Sequence, residues 1–231
     1  MISNYPKIDA FPEIKGDMLC LKFSTLKSTG IREVPSSIGN LSGLESLYLT
    51  GCEDLVSLPD NLCNLMNLRR LLLNGCKRLE KLPENIGDLQ ELEVLDANDT
   101  AISQPPSSIT KLGKLWELRF SHEQQFQHSS SFVLHQVSGL SSLTSLHLSN
   151  LNILGGLPED LGSLHSLENL NVIRSNISCL PKSFKGFFRL RSLDVQFCQN
   201  LNELPGELPP DLEELFADYH LVLKEHQRSR N

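Results

Sequence analysis

The chain has 231 residues, 39% apolar and 21% charged, with a net charge of −7 at pH 7. That is enough apolar material for a substantial core, while the acidic balance argues against a broad Lys- and Arg-rich surface for nucleic acid and leaves only a local basic patch open. There is no run of about 18 apolar residues to cross a membrane. The start, Met1-Ile2-Ser3-Asn4-Tyr5-Pro6, lacks the features of a signal peptide, so a cytoplasmic location is expected, with the nucleus open to it.

Residues 1–20 open no unit of the pattern that follows. Ile2, Tyr5, Ile8 and Phe11-Pro12 match the later halves of the units after them, so the chain is expected to begin inside a truncated repeat, as a piece of a longer protein or a shortened gene product. The first full unit runs Leu21, Leu26, Thr29, Ile31, Val34-Pro35, Ile38, Leu41. Its inward slot at Ser24 is polar, which either loosens this end or draws Phe23 inward.

The two units from Leu44 to Leu89 define the pattern. The first reads Leu44-x-x-Leu47-x-Leu49-x-x-Cys52-x-x-Leu55-x-x-Leu58-Pro59-x-x-Leu62-x-x-Leu65, and every apolar mark recurs 24 residues later, from Leu68 to Leu89. A fixed period of this size signals a solenoid, and the spacing is that of a leucine-rich repeat. In Leu-x-Leu the two side chains fall on one face of a short strand, and that face must be the core. Cys52 and Cys76 stand where the chain leaves the strand and backbone groups need an inward partner. Pro59 and Pro83 lack a backbone donor and fix φ, so each ends the extended segment and turns the chain outward.

The fourth unit uses Leu92, Leu95, Ala97, Thr100, Ile102, Pro105-Pro106, Ile109 and Leu112, with Thr100 in the cysteine slot. The fifth breaks step: after Leu115, Leu118 and Phe120 comes a histidine- and glutamine-rich insert, 121–137, in which apolar marks resume at Val133 and Leu134. Such an insert projects as a loop, either a tolerated extension or part of a binding face. Order returns with Leu143 to Leu164, Leu167 to Phe187, and Leu190 to Leu204-Pro205, and Leu212, Leu215 and Ala217 supply a last strand. The repeat domain is therefore 21–219, about eight full repeats and a final partial one, followed by a polar tail, 220–231. The expected fold is an α/β solenoid with a curved parallel sheet on the concave side and short helical or irregular turns on the convex side.

Beyond the period, several phrases resemble a known family. The cysteine units alternate with Thr100-Ala101-Ile102, and Leu82-Pro83-Glu84-Asn85-Ile86-Gly87-Asp88-Leu89, Gly156-Leu157-Pro158-Glu159-Asp160-Leu161-Gly162 and Leu204-Pro205-Gly206-Glu207-Leu208-Pro209-Pro210 stand among them. Together they are similar to plant intracellular immune receptors with a Toll/interleukin-1-receptor domain, a nucleotide-binding domain and leucine-rich repeats. The resemblance implies recognition of a pathogen effector or a guarded host protein, and restraint of a nucleotide-binding domain of the same or a related receptor. No Gly-x-x-x-x-Gly-Lys-Ser/Thr loop is present, so neither nucleotide binding nor enzymatic activity is assigned to this chain.

Residues flanking the inward leucines must face solvent from the concave side. They include Phe23, Tyr48, Arg70, Leu72, Val94, Asp96, Trp116, Arg119, His147, Arg174, Phe197 and Tyr219. Aromatics and arginine dominate protein-binding hot spots, so Tyr48, Arg70, Leu72, Asp96, Trp116, Arg119, His147, Arg174 and Phe197 are the candidate partner-binding residues, with His122, Phe126 and His128 of the insert beside them. Tyr48, Leu72, Asp96, Arg119 and His147 should form one row about 19 Å long. Trp116, next to the insert in sequence, is the expected centre. Cys20, Cys63 and Cys179 show no paired spacing and free thiols are expected, while His122, His128 and His135 lack zinc-motif spacing, so no metal or cofactor is assigned. Alternatives to the receptor module are a free-standing intracellular scaffold or adaptor and, from another class, an extracellular ectodomain.

Overall fold

The computed structural model describes residues 8–122 and 131–218. Nine strands follow chain order: β1 Phe23–Thr25, β2 Ser46–Tyr48, β3 Arg70–Leu72, β4 Val94–Asp96, β5 Glu117–Ser121, β6 Ser145–Ser149, β7 Asn169–Asn171, β8 Ser192–Asp194 and β9 Glu214–Phe216. They form one parallel sheet in that order, each strand paired only with its neighbours in sequence. The register aligns the middle residues Ser24, Leu47, Leu71, Leu95, Leu118, Leu146, Leu170, Leu193 and Leu215. From Leu47 to Leu193 these leucines are almost wholly buried. Each contributes about 1.5–3 kcal/mol on burial, which is how three-residue strands persist.

Behind the sheet the chain turns through short 3-10 helices at Ser36–Asn40, Asp60–Asn64, Ile86–Asp88, Ser107–Lys111, Glu159–Ser163 and Lys182–Gly186. Five are entered directly from a proline, Pro35, Pro59, Pro106, Pro158 or Pro181, held in the extended region. The expected helical turns are thus all 3-10 among the described residues. Strands about 4.8 Å apart sit closer than these bulkier turns can, so the sheet takes the inner, concave side. Gly162 marks how closely the turns stack: a Cβ there would overlap the Ser183 carbonyl of the next repeat.

Polar donors stand where the chain leaves several of the strands, and most of them bond the preceding repeat. Cys52 Sγ donates to the Leu26 carbonyl (2.9 Å), Cys76 Sγ to Leu49 (3.2 Å) and Cys198 Sγ to Val172 (3.1 Å). Thr100 Oγ1 bonds the Ala97 carbonyl (2.9 Å). Ser175 fills the same slot in the seventh repeat, donating to Leu148 (2.6 Å) and accepting from the Leu151 N–H (3.2 Å). These donors reach carbonyls on the core side of the chain, of which Leu26 also accepts from Thr29 Oγ1, Leu49 from the Cys52 N–H and Val172 from the Ser175 N–H. All six cysteines are free thiols, with Cys20 and Cys179 exposed.

Three local expectations change. Phe23 does not turn inward at the Ser24 gap; it stays 49% exposed and meets the Tyr48 ring edge-on at 4.8 Å. The outer position lets it bury against a neighbouring ring without leaving its strand register. The core re-enters after the insert at Phe132, one residue before Val133, because Phe132 bridges Ile153 and stacks on Phe120 at 5.2 Å. Val94 is buried, flanked across the strands by the longer Arg70 and Glu117.

Candidate functional site: the sheet face

Alternation along the strands sends the residues on either side of each buried leucine to the open face. The register places Thr25, Tyr48, Leu72, Asp96, Arg119, His147, Asn171, Asp194 and Phe216 in one line across all nine strands. The five residues read from the sequence as a row are therefore direct neighbours. Arg70 lies in the parallel line that begins at Phe23 and continues through Val94, Glu117, Ser145 and Asn169.

The two halves of this face differ. In β1 to β5 most outward side chains are large, and two pairs of them are in contact, Phe23 with Tyr48 and Arg119 with Glu117. Tyr48 lies between the Phe23 edge and the Lys27 ammonium, 5.3 Å from its ring centre. Arg119 donates through Nε and Nη2 to Glu117 Oε1 at 2.8 and 2.5 Å, so its charge is largely met on its own strand. Burial is the main cause that raises the Asp96 carboxyl above its ordinary range; the Asn98 N–H and the Arg119 charge oppose it. Burial, then the Arg119 charge, lowers His147, whose Nε2 is 2.8 Å from Ser145 Oγ. In β6 to β9 the outward residues are mostly small and polar.

A third line runs along the strand starts. Lys22 pairs with Glu45 (3.0 Å), Arg69 with Glu93 (3.1 Å) and Arg191 with Glu213 (3.8 Å). Trp116 and Thr144 interrupt this alternation in the middle. The Trp116 backbone N–H donates to the Glu93 carbonyl and its own carbonyl accepts from the Thr144 N–H, and the residue is 39% exposed.

The structure separates other residues that the sequence groups together. Trp116 precedes β5 and His122 follows it, so five extended residues put these two at opposite ends of the strand, about 17–20 Å apart. Residues 123–130 of the insert lie outside the described residues. Arg174 and Phe197 lie beyond the ends of β7 and β8, on the rim rather than on the concave strands. Both have left-handed backbone, φ 55° and 58°, in the slot that Gly51 and Gly75 fill in earlier repeats. The Arg174 guanidinium stacks 4.7 Å over the Phe197 ring. A bulky side chain in this conformation costs about 1–2 kcal/mol. His122 closes β5 with its N–H toward the Ser149 carbonyl at 3.3 Å, while Phe126 and His128 lie outside the described residues.

Such a surface offers hydrogen bonds, ion pairs and aromatic contacts from rigid strands, which suits non-covalent recognition. Among the described residues no cluster of three or more His, Cys, Asp or Glu is placed to hold a metal ion. None of the described helices is long and apolar enough to cross a membrane.

Comparison with known proteins agrees with this geometry. Residues 59–129 match the family described as leucine-rich repeat region, and 142–164 match the leucine rich repeat. The chain is 44% identical to TMV resistance protein N of Nicotiana glutinosa over 94% of its own length and 19% of that protein's. It is 33% identical to disease resistance-like protein DSC1 of Arabidopsis thaliana over 83% of its length and 16% of the relative's. The chain thus spans less than a fifth of each. Two solved structures share the fold: a leucine-rich repeat protein of Leptospira interrogans (TM-score 0.59, 22% identity, 87% of this chain and 57% of that one) and the functional domain of InlJ from Listeria monocytogenes (TM-score 0.63, 16% identity, 85% and 44%). A continuous parallel ladder, the donor slot behind it and these relatives lead to one conclusion: the chain belongs to the leucine-rich repeat regions of plant disease-resistance proteins.

Proposed function

We propose that this chain is the sensing module of a plant immune receptor, which binds a pathogen effector or a guarded host protein through its concave sheet face. On this reading it also restrains a nucleotide-binding domain of the same or a related receptor until the partner arrives, within the cytoplasm or nucleus. The observation that carries the reading is the line Tyr48, Leu72, Asp96, Arg119 and His147, five unlike side chains held side by side on consecutive strands. Recognition surfaces concentrate aromatic and arginine anchors of this kind, and a rigid sheet holds them at little entropic cost.

The test is co-purification from plant cytosol of the 231-residue chain, beside a variant with Tyr48, Leu72, Trp116 and Arg119 all changed to Ala. All four lie outside the buried core, and hydrogen exchange at Leu71 and Leu118 serves as the folding control. Loss of specific partners from the folded variant is the expected result. Partners that persist unchanged would remove the β2 to β5 part of the concave face as the sensing surface.

A further inference from the structure

Between β6 and β9 the sheet face sinks into a recess of about 270 Å³. Its cause is local: Ser145, Asn169 and Ser192 stand side by side in one line, and Asn171 and Asp194 follow His147 in the next, so short side chains replace the long ones of β2 to β5. Phe216, 42% exposed on β9, forms one wall, and His147 forms the other.

The polar groups of this recess are only partly used within the chain. Asn171 Oδ1 accepts from Ser149 Oγ (2.8 Å) and the Ile173 N–H (3.1 Å), which leaves its amide N–H groups open. Asp194 Oδ1 accepts from the Gln196 N–H at 3.0 Å, and Oδ2 is open. Among the described residues the Asn169 and Ser192 side chains have no hydrogen-bond partner. Burial and the Arg119 charge favour the neutral form of His147. Asp194 then carries the one formal charge of the recess lining at neutral pH. Around it Glu168, Glu213 and Glu214 add negative charge along the strand starts, and the nearest cation there, Arg191, already faces Glu213 at 3.8 Å.

We infer that this recess receives an arginine side chain of the protein partner. A guanidinium is planar, stacks on an aromatic ring and donates to a carboxylate in a fork. Against the Phe216 ring it would reach Asp194 Oδ2, with Ser192 Oγ and the Asn169 carbonyl as further acceptors. The open N–H of Asn171 would meet a backbone carbonyl of the same partner segment. Lysine offers the charge without the planar stack and binds more weakly. The inference rests on the reading of the sheet face as a recognition surface and adds the chemistry that one part of it selects.

The experiment is an NMR titration of the full 231-residue chain with acetyl-Gly-Ser-Arg-Ser-Gly-amide, and with the same peptide carrying citrulline or Glu in place of Arg. The expected result is saturable shifts at Asn169, Asn171 and Ser192 with the arginine peptide, and binding about tenfold weaker with citrulline, since a charge-assisted hydrogen bond exceeds a neutral one by about that factor. Asp194→Asn keeps the oxygen that accepts from Gln196 and loses the charge, so it should fold normally and bind arginine about tenfold less. Phe216→Leu gives a second, independent reduction. Equal shifts with arginine and citrulline, full affinity in Asp194→Asn, or no saturable shift at these residues would overturn the inference. If the titration fails while the four-alanine variant still loses its partners, the recess is discarded and the sensing face stands. If arginine binds while that variant keeps its partners, the sensing face of β2 to β5 is discarded and the recess stands.

Discussion

Ser175 is 1% exposed and holds two backbone groups at once, the Leu148 carbonyl at 2.6 Å and the Leu151 N–H at 3.2 Å. Ser175→Ala removes both bonds without creating space for a large cavity. Each orphaned buried group costs about 1–3 kcal/mol, and the longer bond belongs to the low end, so the total is about 3 kcal/mol. For a chain of this size that lowers Tm by about 6–12 °C. Ser175→Cys keeps a donor toward the carbonyl, as Cys52, Cys76 and Cys198 do in their own repeats, and should cost less than about 1 kcal/mol. Scanning calorimetry supplies Tm, and hydrogen exchange at Leu151 reports whether the loss is local. A Ser175→Ala chain that melts within about 2 °C of wild type would refute the idea that these donors hold the repeats together.

Gly162→Ala forces a Cβ against the Ser183 carbonyl and should destabilise by about 2 kcal/mol or more, while Gly113→Ala, with nothing near the added carbon, should change little; urea midpoints separate the two. At pH 8, an aromatic disulfide reagent should label Cys20 and Cys179 quickly and the four buried thiols only on unfolding. Burial pushes Cys76 up from 9.0 to about 12, and Cys63 and Cys198 to about 11. Their folded values exceed their unfolded ones, so the stability they contribute is complete below about pH 9 and is lost as pH rises through about 11 to 12. Urea midpoints should fall across that window, less steeply in Cys198→Ser. Arg69→Ala breaks only an exposed pair with Glu93 and should cost less than about 1 kcal/mol, readable in the same urea assay.

The solenoid was legible because one physical demand recurs in every unit. Leu47 and Leu49 must both point inward, and the same demand returns at Leu71 and Leu73, so a strand on the core side follows from spacing alone. The Cys52 and Cys76 slot was legible for the same reason. Ser175 was hidden because serine looks like a loop residue and Ile177 drew the pattern two residues onward; counting from Leu170 as from Leu47 would have found it. Trp116 and His122 are close in sequence yet far apart in space, because the extended strand β5 separates them along its whole length. Arg174 and Phe197 were placed on the strands because nothing in a side chain announces a left-handed backbone where glycine stands in other repeats. The recess at Asp194 depends on three neighbouring small residues from different repeats, a relation that only the register reveals.

The central claim is that partners bind on the sheet face, and hydroxyl-radical footprinting of the captured complex tests it most directly. Tyr48 and Trp116 stand on that face or at its edge, whereas Met66 and Phe188, 54% and 60% exposed, lie in the turns behind it, just past the 3-10 helices Asp60–Asn64 and Lys182–Gly186. The account predicts strong protection of Tyr48 and Trp116 when the partner binds, with Met66 and Phe188 oxidised at the rate of the free chain. Protection of Met66 and Phe188, with Tyr48 and Trp116 unchanged, would contradict it.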